Sequence, residues 1–238
     1  MTDQILNWLY PPACIACKTR LPVNMGNFYI CDRCEPLFEK VAQPSCKKCG
    51  QVLSAEDENC ASCFGKFFYF ESNVSAFIYD ELMRDLLRDM KFRNKKRMAT
   101  GLGLLWAKSI EMPDEEFVLT WLPMFPKKQR ERGFNQAEVM AKMIAKEFGI
   151  PCRNILRRTV DTPAQSGLHP KLRQENVKDV FEMSGSELGA DIVIIDDIFT
   201  TGASLNECAK VLKEAGAGKI YAKTLALTPR KINSKENE

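Results

Sequence analysis

The sequence contains no apolar run of membrane-spanning length, so no transmembrane helix is expected. It also has little net charge. Its 34 Lys and Arg against 31 Asp and Glu leave +3, too mild to announce a nucleic-acid partner by itself. The opening MTDQILNWLYPPAC lacks a basic segment followed by an apolar stretch, so no secretory signal is expected. Histidine occurs once, at position 169, and cysteine almost vanishes after residue 63, leaving only Cys152 and Cys208. Residues 1–70 are short of branched aliphatics and cannot build an ordinary core from what they contain. The rest is average: 238 residues, 45% hydrophobic, room for one large domain or a moderate one with a small appendage.

What the first region has instead is cysteine. Eight of the ten fall in four C-x-x-C knuckles: Cys14/Cys17, Cys31/Cys34, Cys46/Cys49 and Cys60/Cys63. A secreted disulfide scaffold would be short and would carry a signal, so a reducing, cytoplasmic setting is expected. The two-residue gap lets both thiolates of a knuckle face one metal across a tight turn, and two knuckles complete a tetrahedral Cys₄ shell. Iron–sulfur clusters and redox pairs share parts of this pattern. Four knuckles in tandem favour two structural Zn²⁺ sites. Sequential pairing would join Cys14, Cys17, Cys31 and Cys34, and separately Cys46, Cys49, Cys60 and Cys63. Interleaving the first knuckle with the third is the alternative. A full Cys₄ shell leaves no open position for catalysis. The aromatics Phe64, Phe67, Phe68, Tyr69 and Phe70 that follow can stack on bases, but packing against the second region is the expectation.

Residues 71–238 alternate between strand and helix patterns. Residues 117–122 (FVLTWL), 192–195 (IVII) and 220–227 read as buried strands. Residues 79–92, 135–148 and 204–215 read as amphipathic helices, the last two ending at Gly149 and Gly216. This predicts an α/β domain with a mostly parallel sheet flanked by helices, joined to a metal-stapled module at residues 1–70. The basic stretch 91–97 reads as a solvated face or a DNA contact.

The most specific motif runs from Ile192 through Asp196, Asp197, Thr200, Thr201, Gly202, Ala203 and Ser204. An apolar strand meets two carboxylates, then a hydroxyl-rich loop that opens into a helix. Backbone N–H groups of such a loop and helix start cradle a phosphate, and Gly202 lets the backbone approach it. Two carboxylates beside an anion site would repel it, unless they face the hydroxyls of the sugar that carries the phosphate, or a divalent ion.

These residues resemble the fingerprint of the type I phosphoribosyltransferases: an apolar strand, two acids, then T-T-G-x-[ST]. The chain as a whole resembles the ComF family, related to GntX-like proteins. The matching signatures are Tyr79, Lys91-Phe92, Pro123, Arg132-Gly133-Phe134-Asn135-Gln136, Leu156-x-Arg158, Gln165-x-x-Leu168 and Arg173-x-x-Asn176. The resemblance implies that Asp196 and Asp197 contact the ribose hydroxyls of phosphoribosyl pyrophosphate (PRPP), and that residues 200–204 hold its 5′-phosphate. It implies a pyrophosphate loop in residues 123–136, with Lys127, Lys128, Arg130 and Arg132 offsetting the leaving group's charge. Gly133 and Asn135 would serve the turn, and Gln136 the start of the helix. Residues 162–176, including Arg173, would form a closing loop, where His169 is read as a solvated side chain. The implied reaction is Mg²⁺-dependent displacement of pyrophosphate at the anomeric carbon of ribose. The implied role is uptake of transforming DNA, with single-stranded DNA and a competence DNA translocase as partners. A PRPP-sensing or DNA-handling protein without turnover is the alternative.

Overall fold

The computed structural model describes residues 12–22, 29–54, 59–92, 95–162, 177–185 and 189–230. Four strands form one parallel sheet in the order β1-β6-β5-β2: β1 (Ser72–Ile78), β2 (Phe117–Trp121), β5 (Asp191–Phe199) and β6 (Ile220–Leu227). Two short strands, β3 (Leu156–Arg158) and β4 (Phe181–Met183), pair antiparallel apart from it. The expected class is therefore observed. The IVII run occupies a central strand because it is flanked on both sides and must bury both faces. The strand extends beyond that run and includes both Asp196 and Asp197. Strand β1 was not anticipated: its alternation of buried and exposed residues is that of an edge strand. Residues 39–41 cover that edge, with Ile78 N–H donating to the Glu39 carbonyl at 2.7 Å.

Alternation along β5 divides the core in two. Val193 and Ile195 face helices α1 (Glu81–Phe92), α2 (Lys96–Ala107) and α4 (Gln136–Phe148). Ile192 and Ile194 face helix α5 (Ala203–Glu214) and the β3–β4 pair. The short helix α3 (Pro126–Arg132) lies between β2 and α4, in a segment expected to be loop; Pro126 at its start and left-handed Gly133 at its end delimit it. Helices α4 and α5 leave adjacent strands, β2 and β5, toward opposite faces. The region between them, beyond the carboxyl ends of the two strands, is where an open α/β sheet usually has its ligand crevice.

Among the described residues, the cysteine-rich segment shares its core with the sheet domain. Cys14, Ile15, Ile30 and Cys34 are buried with α2 and α4, while Cys46, Cys49 and Cys63 are buried with Phe199, Leu205 and Cys208. Close approach is needed at Gly101 of α2, where a Cβ would lie 2.7 Å from the Tyr29 Cβ. The aromatic run behaves differently from expectation in part. Phe70 is buried, but Phe64 and Phe67 are 84% and 74% exposed. Phe67 rests edge-on against Tyr69 instead of entering the core. Among the described residues, no helix is long and apolar enough to cross a membrane.

Candidate PRPP crevice and paired zinc centres

The eight clustered cysteines converge on two points, Cys14/Cys17/Cys31/Cys34 and Cys46/Cys49/Cys60/Cys63, each with its sulfurs within 4.8 Å of one another. Pairing is thus sequential. Cys17 and Cys31 sulfurs are 3.7 Å apart, and those of Cys49 and Cys60 3.6 Å. A tetrahedron with Zn–S bonds of about 2.3 Å requires roughly 3.8 Å between sulfurs, so both sets fit Zn²⁺. Burial pushes the Cys34 thiol up to about 12 and the Cys49 thiol higher still. Such thiols ionise only against a cation, which couples zinc binding to folding.

The second centre is tied to the central strands. Asn73 donates to the Cys49 carbonyl at 3.1 Å and to Ser75, whose hydroxyl meets Thr224 at 2.6 Å. Thr224 is the register partner of Asp196. On the other flank Gln51 donates to the Thr228 carbonyl at 2.7 Å, and Arg230 reaches the Cys60 sulfur at 3.4 Å. The Tyr69 N–H donates to Asn206 in the first turn of α5 at 2.7 Å.

At the crevice, Asp196 and Asp197 are both buried. The Asp197 N–H donates to the Asp196 carboxylate at 2.8 Å. Burial, reinforced by the charge of Asp197, raises Asp196 well above the ordinary carboxylate range. Burial acts on Asp197 in the same direction, but the charge and hydrogen bond of Lys91, with hydrogen bonds to Asp196 and Gln136, together make the net shift downward. The Lys91 ammonium stands 2.5 Å from Asp197 Oδ2. Lys91 is therefore not part of a solvated basic face, as its sequence neighbourhood suggested. Gln136 donates to the same oxygen at 3.2 Å and accepts from Arg132 at 2.9 Å, a role beyond starting the helix. Asn135 caps α4 through the Ala137 N–H and donates to the Leu122 carbonyl at 3.0 Å. It thereby anchors α4 to the end of β2.

On the far side of the acid pair, the chain turns through residues 200–202 into α5. Thr201 Oγ1 accepts from the Ala203 N–H at 3.3 Å. Gly202 is left-handed, with φ +77°, and a Cβ there would lie 2.7 Å from the Phe199 ring. Gly202→Ala is expected to cost about 1–2 kcal/mol for the backbone alone, and more for the Phe199 contact. Chemical denaturation measures it; an unchanged midpoint would contradict this reading of the loop.

The proposed cations are distributed unequally. Arg132 reaches the acid pair through Gln136, and burial lowers its pKa while Asp197 raises it. Lys128 is engaged by Asp161 at 2.8 Å and by the Thr162 carbonyl, at the base of the segment expected to close. Lys127 and Arg130 are exposed on α3. Arg158, assigned no role from sequence, lies over the Phe181 ring at 5.5 Å. Burial lowers its pKa, and Cys208, Asp161 and Asp196 oppose that shift. Gln165, Leu168, His169, Arg173 and Asn176 lie outside the described residues.

The double zinc ribbon domain family matches residues 5–64, and the phosphoribosyl transferase domain family matches residues 135–237. Competence protein F of Haemophilus influenzae is 26% identical over 226 residues, covering 90% of this chain and 96% of its own. Over most of its length the chain is therefore similar to ComF-type competence proteins, with a double zinc ribbon followed by a phosphoribosyl transferase domain. Among other ComF-like relatives, the DNA utilization protein YhgH of Escherichia coli K12 is 25% identical, covering 92% of this chain and 98% of its own. Competence protein ComFC of Bacillus subtilis is 26% identical over 79% of both chains. A solved glutamine PRPP amidotransferase from B. subtilis aligns at 22% identity and TM-score 0.36, over 53% of this chain and 25% of that one.

Proposed function

We propose that this ComF-like protein binds PRPP in the crevice between β2 and β5 and transfers its phosphoribosyl group with release of pyrophosphate. The observation that carries this reading is the placement of a buried carboxylate pair between two groups suited to anions. On the α5 face lie the 200–204 loop and a helix N-terminus; on the α4 face lies Arg132, joined to Asp197 through Gln136. A ligand with a phosphate at one end, a diol in the middle and a diphosphate at the other matches that sequence of chemistries. The carboxylate oxygens of Asp196 and Asp197 are hard donors that suit a Mg²⁺ ion carried by the diphosphate. That ion would neutralise charge on the leaving group. Asp196 and Asp197 orient the ribose, residues 200–204 fix its 5′-phosphate, and Arg132 faces the leaving pyrophosphate with Lys127, Lys128 and Arg130 as further cations; Arg173, outside the described residues, is the remaining candidate.

Thermal melting tests binding. PRPP with Mg²⁺ is expected to raise the midpoint, because a ligand that binds only the folded state stabilises it by mass action. A midpoint unmoved at millimolar PRPP would remove the assignment. Incubation with PRPP and a panel of nucleobases, read as pyrophosphate release, separates a transferase from a PRPP sensor.

The similarity to proteins of competence and DNA utilization supports a part in such a process. A second reading, handling of single-stranded DNA with or without a translocase partner, is favoured by the exposed Phe64 and Phe67 on the second ribbon. In that case Phe64→Ala/Phe67→Ala weakens single-strand affinity without altering the response to PRPP.

A further inference from the structure

Lys91 lies on the last turn of α1, four residues after the buried Leu87, and so on the helix's inward side. A cation there needs a partner, and it finds one on a different element: Asp197 of β5, at 2.5 Å. The contact is not sealed, since the Lys91 side chain is 25% exposed. Nor does Asp197 depend on it for hydrogen bonding, because Gln136 donates to the same oxygen at 3.2 Å. An ammonium thus pairs with the carboxylate that the proposed function gives to the ribose hydroxyls.

We propose that Lys91 is a diphosphate-binding residue of the PRPP site, held on Asp197 until the ribose diol displaces it. This rests on the PRPP reading above. A diol that donates to Asp197 replaces what Lys91 donates, and a freed ammonium in a shallow crevice needs another anion. Helix α1 packs on the same face of the sheet as α4, opposite α5. With the 5-phosphate in the loop at the start of α5, the anion left on the Lys91 side is the diphosphate. Lys91 joins Arg132 there, one cation from each of two elements, Lys91 paired with Asp197 directly and Arg132 through Gln136.

Ribose 5-phosphate separates this role from a clamp on Asp197, because it keeps the diol and the 5-phosphate and lacks the diphosphate. Lys91→Met is expected to weaken Mg²⁺–PRPP binding roughly ten- to hundredfold, the range of a lost charge-assisted contact. It should leave ribose 5-phosphate affinity unchanged or improved, and Lys91→Arg should recover most of the PRPP affinity. Equal losses for the two ligands, or no loss for PRPP, would overturn the proposal. A second measurement needs no variant. Acylation of Lys91 in the native protein should be accelerated by ribose 5-phosphate, which frees the amine, and suppressed by PRPP, which captures it. Equal labelling with the two ligands would also overturn it. Failure of the native protein to bind PRPP would overturn both this proposal and the function on which it rests.

Discussion

Replacing Asp196 and Asp197 together by asparagine is expected to lower PRPP affinity by at least about a hundredfold while the protein stays folded. Hydrogen bonds to charged groups contribute about 1.5–3 kcal/mol each; the variant loses the anionic acceptor at Asp197 and, at Asp196, one that becomes anionic when a bound cation offsets its raised pKa. The expectation about folding has a physical basis in the acid pair itself. Asp196 is buried and its pKa is raised, so the native state favours its protonated form. A carboxyl raised in this way contributes stability below its unfolded pKa and loses it as pH rises through the folded value. Asp197 is shifted downward, and its contribution runs the other way: present above the unfolded pKa, lost as pH falls through the folded one. The single variant Asp196→Asn should therefore melt above the native protein at pH 8, with the advantage shrinking toward the ordinary carboxylate value of 3.8. A variant that is more stable and fails to bind PRPP separates loss of function from loss of fold. If Asp196→Asn melted below the native protein at pH 8, burial would not be the dominant force on that carboxyl.

The second large effect concerns zinc. Structural zinc contributes about 10–16 kcal/mol of apparent binding energy to zinc-finger peptides, as much as the whole stability of an ordinary domain. The two centres should nevertheless differ in what they support. Cys49 and Cys63 are buried with Phe199 and Leu205, which flank the 200–204 loop, and the Cys49 carbonyl is connected through Asn73 and Ser75 to Thr224 beside Asp196. Cys14 and Cys34 are buried against α2, on the opposite face. Cys49→Ser should reduce zinc from about two ions per chain to about one, and PRPP affinity should fall tenfold or more. Cys14→Ser should cost a similar amount of metal and lower the melting temperature, with PRPP affinity close to native. Metal analysis and PRPP titration on the same samples check this. Native PRPP affinity in Cys49→Ser would mean that the loop does not depend on the second ribbon.

The fold class and the zinc ligands were legible because each depends on local patterns. Tandem C-x-x-C knuckles restrict the metal geometry, and alternating periodicities of two and 3.6 distinguish strand from helix. The acid pair and its loop were legible for the same reason, since strand, turn and helix start are contiguous in the chain. Strand β1 was not, because its half-exposed edge position dilutes the apolar signal with Val74 and polar residues. Helix α3 was hidden by its shortness and its four basic residues. Lys91 and Gln136 were misjudged because their partner, Asp197, is distant in sequence, and only the sheet brings them together. A signal for Lys91 did exist: it falls four residues after Leu87, on the apolar stripe of its helix, where an unpaired charge is costly. The exposure of Phe64 and Phe67 had no comparable signal, since an aromatic run reads the same whether it packs or protrudes.

Isothermal calorimetry of the native, zinc-loaded protein with PRPP in the presence of Mg²⁺ tests the proposed ligand most directly. A single-site isotherm that is weaker for ribose 5-phosphate and absent in Asp196→Asn/Asp197→Asn is the predicted result. No heat from the native protein, or heat that survives in that double variant, would contradict it.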